Sequence, residues 1–219
     1  MEASQIYIPD CYRHWEGEAT ISSLIKNELA LFPLNTVLFP SACLPLRIFE
    51  PRYVDLIGTC MRDASTFGIV GISQGVEAGG PAETHNLGTH ARIVDFDQGA
   101  DGLLNIVVQG GSRFELHSSH SQENGLLIGN VVNLPDLRSE NVPQEYSELV
   151  DLLAEIDAKS PLLKPANGEP ANSSDLAYGL AQILPIAIST KIELLALNDP
   201  LILLRRLSVE LDQLRRSSQ

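Results

Sequence analysis

A chain of 219 residues, 44% hydrophobic and 20% charged, is long enough to bury a real core and too apolar to stay disordered. Its net charge of −13, from 28 acidic and 15 basic residues, weighs against nucleic acid or an anionic membrane as main partner, because both demand clustered Lys and Arg. Three widely spaced cysteines (Cys11, Cys43, Cys60) with no C-x-x-C pair indicate neither a disulfide framework nor a zinc knuckle.

Free thiols of this kind fit a reducing cytoplasm. Residues 1–28 are weakly patterned and are expected to form an N-terminal extension draped over the body, with Trp15 as its anchor. The opening MEASQIYIPDCYRHW has an early acid and no apolar h-region, so it does not match a signal peptide. No apolar run approaches the length of a membrane span. From Leu29 onward, short apolar runs broken by Pro and Gly predict strands in LALFPL, CLPLRIFE, FGIVGIS, HARIVDF, LLNIVVQG, SRFELH and LLIGNVVNL. Between the second and third, EPRYVDLIGTCMRDA predicts a helix. Pro51 suits its first position, and Tyr53, Leu56, Ile57 and Cys60 share one face. QGADG at 98–102 predicts a hairpin turn. Residues 29–138 therefore form a β-rich unit with one inserted helix.

The period then changes. Tyr146, Leu149, Leu153 and Ile156 fall at helical spacing, residues 160–174 have the Pro, Asn and Ser content of a flexible connection, and DLAYGLAQILPI resumes a helix. Thr190 and Glu193 have capping-box spacing, and Asp199 before Pro200 predicts the start of a last helix. That helix carries Leu204, Leu207, Leu211 and Leu214 on one stripe, with Arg205, Arg206, Arg215 and Arg216 around it. Residues 139–219 thus form a helical subdomain, and the fold class is α+β.

Several motifs invite chemistry. Gly71-Ile72-Ser73-Gln74-Gly75 matches G-x-S-x-G, whose serine is a nucleophile only on a sharp strand-to-helix turn. The stretch that follows is too rich in Gly and Pro to supply that helix, so Ser73 reads as a strand-end serine and a hydrolase is a minor alternative. His85 and His90 beside Glu83, and His117 with His120, lack ligand spacing and a cysteine cluster, so no metal site is expected. Asp95 and Asp97 alternate with Phe96, the pattern of a solvated outer strand face rather than of an acid/base pair. No cofactor is expected.

LALFPLNTVLFPSACLPLRIFEPRYVDLI resembles the opening of the Lon protease N-terminal domain, with its L-P-L-F-P-L, V-x-F-P and F-E-P-R-Y pattern. LGTHARIVDFDQGADGLLNIVVQGGSRFEL is similar to that family's G-T-x-A-x-I…D-G-x-x-x-V-x-V-x-G-x-x-R-F segment, and LALNDPLILLRRLSVEL is similar to its helical end. The resemblance covers residues 29–215. It implies a PUA-like β pseudo-barrel followed by a helical bundle, in a domain that recognises substrate proteins within full-length Lon. The chain has no G-x-x-x-x-G-K-[ST] and does not extend into ATPase or Ser–Lys protease regions, so it resembles a stand-alone, non-enzymatic substrate-binding domain. The expected partners are unfolded or exposed apolar protein segments. A nucleic-acid-binding PUA-like module is the alternative by architecture alone, and an adaptor docking through its helical bundle is another. The candidate binding residues are Arg47, Phe49, Arg52 and Tyr53 of RIFEPRY, where Glu50 and Arg52 can also pair, and Arg92 and Arg113 of the second stretch. For each of these a structural role is weighed as the stronger. The IVV and RFEL strands are the expected edges for pairing with an extended peptide.

Overall fold

A computed structural model describes residues 27–75, 83–99, 101–159 and 170–217. The expected N-terminal extension with Trp15, and most of the 160–174 connection, lie outside these residues. Among the described residues six strands form one mixed sheet: β1 (Asn27–Leu34), β2 (Cys43–Ile48), β3 (Phe67–Gln74), β4 (Glu83–Gln98), β5 (Leu104–Ser121) and β6 (Leu127–Asn133), in the order β2-β5-β4-β3-β1-β6. β5 also pairs with β6, and this closes the pseudo-barrel.

Closure depends on the length of β5. Its first half pairs with β2, its second half pairs with β6 on the same flank, and β4 runs along the other flank. LLNIVVQG and SRFELH, expected as two strands, are therefore one strand of 18 residues. Gly110, which looks like a break, is required by close approach. A Cβ there would sit 2.1 Å from the carbonyl oxygen of Phe39, where the chain before β2 crosses β5.

The barrel interior is narrow and holds Leu31, Val70, Phe114 and Val131. Room for these side chains comes from glycines on the surrounding strands: a Cβ on Gly68 would lie 2.8 Å from Phe114 Cζ, and one on Gly88 only 2.5 Å from it. The alternate residues of the same strands, such as Phe32, Phe67, Ile69 and Ala91, point outward into a second and larger core. The helices supply its other wall.

α1 (Pro51–Asp63) begins with Pro51 in its first turn and buries Tyr53, Leu56, Ile57 and Cys60, the face read from its spacing. Tyr53 stacks on Phe32 with ring centroids 3.8 Å apart. α2 (Ser147–Lys159) buries Leu149 and Leu153, while Tyr146 lies in the short 3-10 turn before it. α3 (Ser173–Ile183) is capped by Asn172, whose Oδ1 accepts from the Asp175 N–H at 2.9 Å. α5 (Pro200–Ser217) is capped by Asp199, whose Oδ1 accepts from the N–H groups of Leu201 and Ile202.

α4 (Ile188–Ala196) departs from expectation. It starts at Ala187 with no side-chain cap, so Thr190 sits inside the first turn and forms no capping box. The hydrophobic register decides the start, because Leu194, Leu195 and the stem of Lys191 all bury against neighbouring elements. The helical residues share one continuous cluster with the outer barrel face, with Phe39, Ile57 and Ile106 in the same core as Leu153, Leu180 and Leu207.

Candidate functional site

The hairpin joining β4 to β5 turns where QGADG predicts it. The Gly99 N–H donates to the Leu103 carbonyl at 2.8 Å, and Gly102 adopts φ +82°. Beyond the barrel, β2, the start of β5 and the end of β4 form a three-stranded flap. An open groove of about 280 Å³ crosses this flap, lined by three rows of three residues. Pro45 faces Val107, which faces Asp95; Leu46 faces Ile106, which faces Phe96; Arg47 faces Asn105, which faces Asp97. Phe96 is 58% exposed and Phe49, just beyond β2, is 59% exposed. The exposed Phe96 ring in this groove suits an apolar partner.

The charges of the groove are mixed. Arg47 pairs with Asp101 of the hairpin turn, and both side chains remain largely exposed. Asp95 turns back on its own strand, where Oδ1 accepts from the Phe96 N–H at 2.9 Å. Asp95 and Asp97 share one face of β4, since the pairing is regular from Asp95 to Gln98. Phe96, expected to turn away from the solvated face, is exposed instead and belongs to the groove.

The remaining candidates divide by location. Arg52 is half-buried at the start of α1. Nη1 donates to the Gly125 carbonyl at 2.6 Å, Nη2 pairs with Glu50 at 2.8 Å, and the guanidinium lies 4.7 Å from the Tyr53 ring centroid. It clamps the β5–β6 turn onto α1. Tyr53 is buried beneath it. Arg92 is exposed and donates to Gln109 Oε1 at 2.9 Å across the β4–β5 ladder.

Arg113 is elsewhere altogether. Its side chain is 1% exposed, and it donates to the carbonyls of Leu195, Leu197 and Pro135 and to Asn198 Oδ1, all within 3.1 Å. It offers no surface to a ligand and instead joins the barrel to the helices. Gln182 and Lys191 make a second joint: Gln182 Oε1 accepts from the Phe39 N–H, and its backbone carbonyl accepts from Lys191 Nζ at 2.8 Å. Burial pushes the Lys191 ammonium below its usual range.

Candidates for chemistry do not assemble. Ser73 is exposed near the end of β3, and the next element among the described residues is the antiparallel strand β4. His85 packs near Gly71, and His117 and His120 are exposed on β5. Among the described residues no three His, Cys, Asp or Glu side chains converge as metal ligands, and no helix is long and apolar enough to cross a membrane. Cys43 and Cys60 are buried and not disulfide-bonded. IVV and RFEL, expected as pairing edges, are flanked by strands on both sides; among the described residues the open edges of the flap belong to β2 and to the end of β4, Arg92–Gln98.

Comparison with known proteins agrees with this architecture. Residues 28–213 match the family model for the ATP-dependent protease La (LON) substrate-binding domain. Lon protease 2 of Myxococcus xanthus is 30% identical over 164 residues, covering 69% of this chain and 20% of that protein. The Lon protease of Flavobacterium johnsoniae is 27% identical over 130 residues, covering 58% of this chain and 16% of that protein. The chain thus spans a fifth or less of these relatives' length. Among solved structures, a Lon N-terminal domain protein from Xanthomonas campestris superposes with a TM-score of 0.64 at 34% identity, covering 85% of this chain and 98% of that one. The N-terminal domain of a Mycobacterium avium complex Lon protease shares the fold, with a TM-score of 0.59 at 17% identity, covering 83% and 96%.

Proposed function

The chain belongs to the LON substrate-binding domain family, and we propose that it is a non-enzymatic module that recognises unfolded or exposed apolar segments of other proteins. The observation that carries this reading is the flap groove, where Phe96 stands exposed on the end of β4, which among the described residues pairs only with β5 and leaves an open edge, and Phe49 lies beyond the end of β2. An extended peptide would gain main-chain hydrogen bonds from the edge and burial against these rings, with no catalytic group required. Arg47 would favour acidic residues beside the apolar ones, while Arg92, Arg52 and Tyr53 support the sheet and helix that hold the site. The family model that matches is a substrate-binding domain, which supports recognition. Two buried thiols that are not disulfide-bonded support a reducing, cytoplasmic setting.

The test is equilibrium binding to reduced, carboxymethylated α-lactalbumin, a permanently unfolded chain, followed by fluorescence anisotropy. Binding that weakens about tenfold in Phe96→Asp and Phe49→Asp, with an unchanged unfolding midpoint, supports the groove as the site. No binding by the parent chain, or equal binding by both variants, removes this reading.

A further inference from the structure

Past Ala91 the strand β4 has a neighbour on one side only. β3 pairs with it from Glu83 to Ala91, and from Arg92 to Gln98 the described residues place β5 on one flank and no strand on the other. The hairpin fixes which main-chain groups face that open flank. The Gly99 N–H donates to the Leu103 carbonyl at 2.8 Å, and bonded and unbonded pairs alternate along an antiparallel ladder. Asp97–Asn105 and Asp95–Val107 are therefore bonded pairs, and the N–H and C=O of Phe96 and Gln98 turn outward. The β2 side of β5 gives the same parity. There the Gly110 N–H donates to the Ala42 carbonyl, so Leu44–Val108 and Leu46–Ile106 are bonded pairs, and Pro45 turns its missing donor to the outer edge of β2. Of the two open edges of the flap, that of β4 is the better template for pairing. It is also guarded. The outward N–H of Phe96 is taken by its neighbour Asp95, whose Oδ1 accepts at 2.9 Å. Asp97 stands on the same face as Asp95, and among the described residues neither carboxylate pairs with Lys or Arg.

We propose that the end of β4 captures an extended protein segment in which Lys or Arg flanks an apolar residue on both sides. The inference rests on the reading of the flap as a peptide site, and it names the edge and the substrate class. A strand added alongside Phe96 sets its apolar residue beside that exposed ring, on the face shared with Ile106 and Leu46. The residues before and after it fall opposite Asp95 and Asp97, on the other face. A cation there draws Asp95 off the Phe96 N–H, which then donates to a carbonyl of the partner. A neutral or acidic segment takes the carboxylate from its donor and offers it no cation in return. The same charges work against a second copy of the chain, since two such edges paired antiparallel about Phe96 set Asp95 of one against Asp97 of the other. Arg47 lies on β2, across β5 from this edge, and is paired with Asp101. The net charge of −13 adds a long-range attraction for a basic partner.

The test compares two short labelled peptides by fluorescence anisotropy, one alternating Lys with Phe and Val and the other with Glu in place of every Lys. The parent is expected to bind the Lys peptide about tenfold more tightly, with added salt narrowing the difference. The double variant Asp95→Asn with Asp97→Asn keeps an amide oxygen to cap Phe96, and it is expected to bind the two peptides alike at an unchanged urea midpoint. N-methylation of one alternate set of amides in the Lys peptide is expected to abolish binding, and of the other set to leave it, because only one set faces the edge. No binding of the Lys peptide, equal binding of the two peptides by the parent, a Lys preference that the double variant keeps, or indifference to both methylation sets overturns the proposal. Where carboxymethylated α-lactalbumin binds but the parent shows no Lys preference, the recognition reading stands and this edge falls alone. A Lys preference lost in the double variant, with no α-lactalbumin binding, upholds the edge and removes only the broader reading.

Discussion

Arg113 on β5 and Leu195 near the end of α4 are joined by a hydrogen bond of 2.8 Å from guanidinium Nη1 to backbone carbonyl, across 82 positions of sequence. The same guanidinium holds Leu197, Pro135 and Asn198, so one planar cation ends a helix, orients the chain leaving β6 and seats both on the barrel. Every partner is a neutral oxygen at a chain turn, where helix carbonyls would otherwise lack donors.

Arg113→Met removes the cation and leaves these buried acceptors without their donor. The expected loss is about 3–5 kcal/mol in urea unfolding. Arg113→Lys keeps charge but cannot fork between two directions, so it is expected to recover less than half of that loss. Full recovery by lysine would show that charge alone, and not planar geometry, makes the joint.

Gly68 tests the tightness of the barrel. An added Cβ would lie 2.7 Å from Leu31 Cδ2, 2.8 Å from Leu29 Cδ2 and 2.8 Å from Phe114 Cζ. Gly68→Ala is expected to cost about 1–3 kcal/mol through overpacking. Because these neighbours are side-chain atoms, Phe114→Leu in the same chain should return part of the loss. Gly88→Ala should not be rescued in this way, because its Cβ also meets the Ile69 carbonyl oxygen at 2.6 Å. A double-mutant cycle in urea measures both couplings.

Much of this architecture is legible in single residues. Pro51, Asp199 and the alternation of apolar strand positions act locally, so they announce α1, α5 and the strands without tertiary help. The continuity of β5 is not legible, because Gly110 looks like a break until the Phe39 backbone is seen against it. The capping box at Thr190 fails for the opposite reason: a sound local signal yields to the burial of Leu194 and Leu195. The second motif points to Arg113, yet nothing local says that its partners lie far along the chain. Phe96 escaped because alternation turns it away from Asp95 and Asp97, in line with Ile106 and Leu46, yet cannot show that this end of β4 runs past β3 and leaves the ring exposed. The groove itself joins three separate strands, so no contiguous motif encodes it.

Tyr178 is 4% exposed, its ring 5.8 Å from that of Phe39, and its hydroxyl has no hydrogen-bond partner among the described residues. Burial raises its pKa to about 12, with Arg113 opposing and Asp136 adding to the rise. Tyr178→Phe removes a polar atom that gains nothing inside, so stability is expected to stay level or rise by up to about 1 kcal/mol. Tyr178→Ala, which empties the ring's volume, should cost about 3–5 kcal/mol. A loss above about 1 kcal/mol in the phenylalanine variant, read by urea unfolding, would mean the hydroxyl is satisfied.

His90 gives the fold a pH dependence of definite sign. Its Nε2 lies 2.8 Å from Asn133 Oδ1, its Nδ1 3.4 Å from Thr66 Oγ1, and its ring meets Phe114 edge-on at 5.2 Å. Asn133 Oδ1 accepts, so Nε2 carries the proton of the neutral ring. Burial lowers the imidazole pKa below its ordinary 6.5, and the bond to Asn133 opposes that shift in part. Below 6.5 the unfolded chain therefore binds this proton more readily than the folded one. Stability from this group is complete above about pH 6.5, falls as pH drops toward the lower folded value, and levels off beneath it. His90→Gln keeps a donor for Asn133 and cannot titrate, so the urea midpoint of the variant should change less than that of the parent between pH 7.5 and pH 5. Equal slopes in the two proteins would place the acid sensitivity of the fold on other groups.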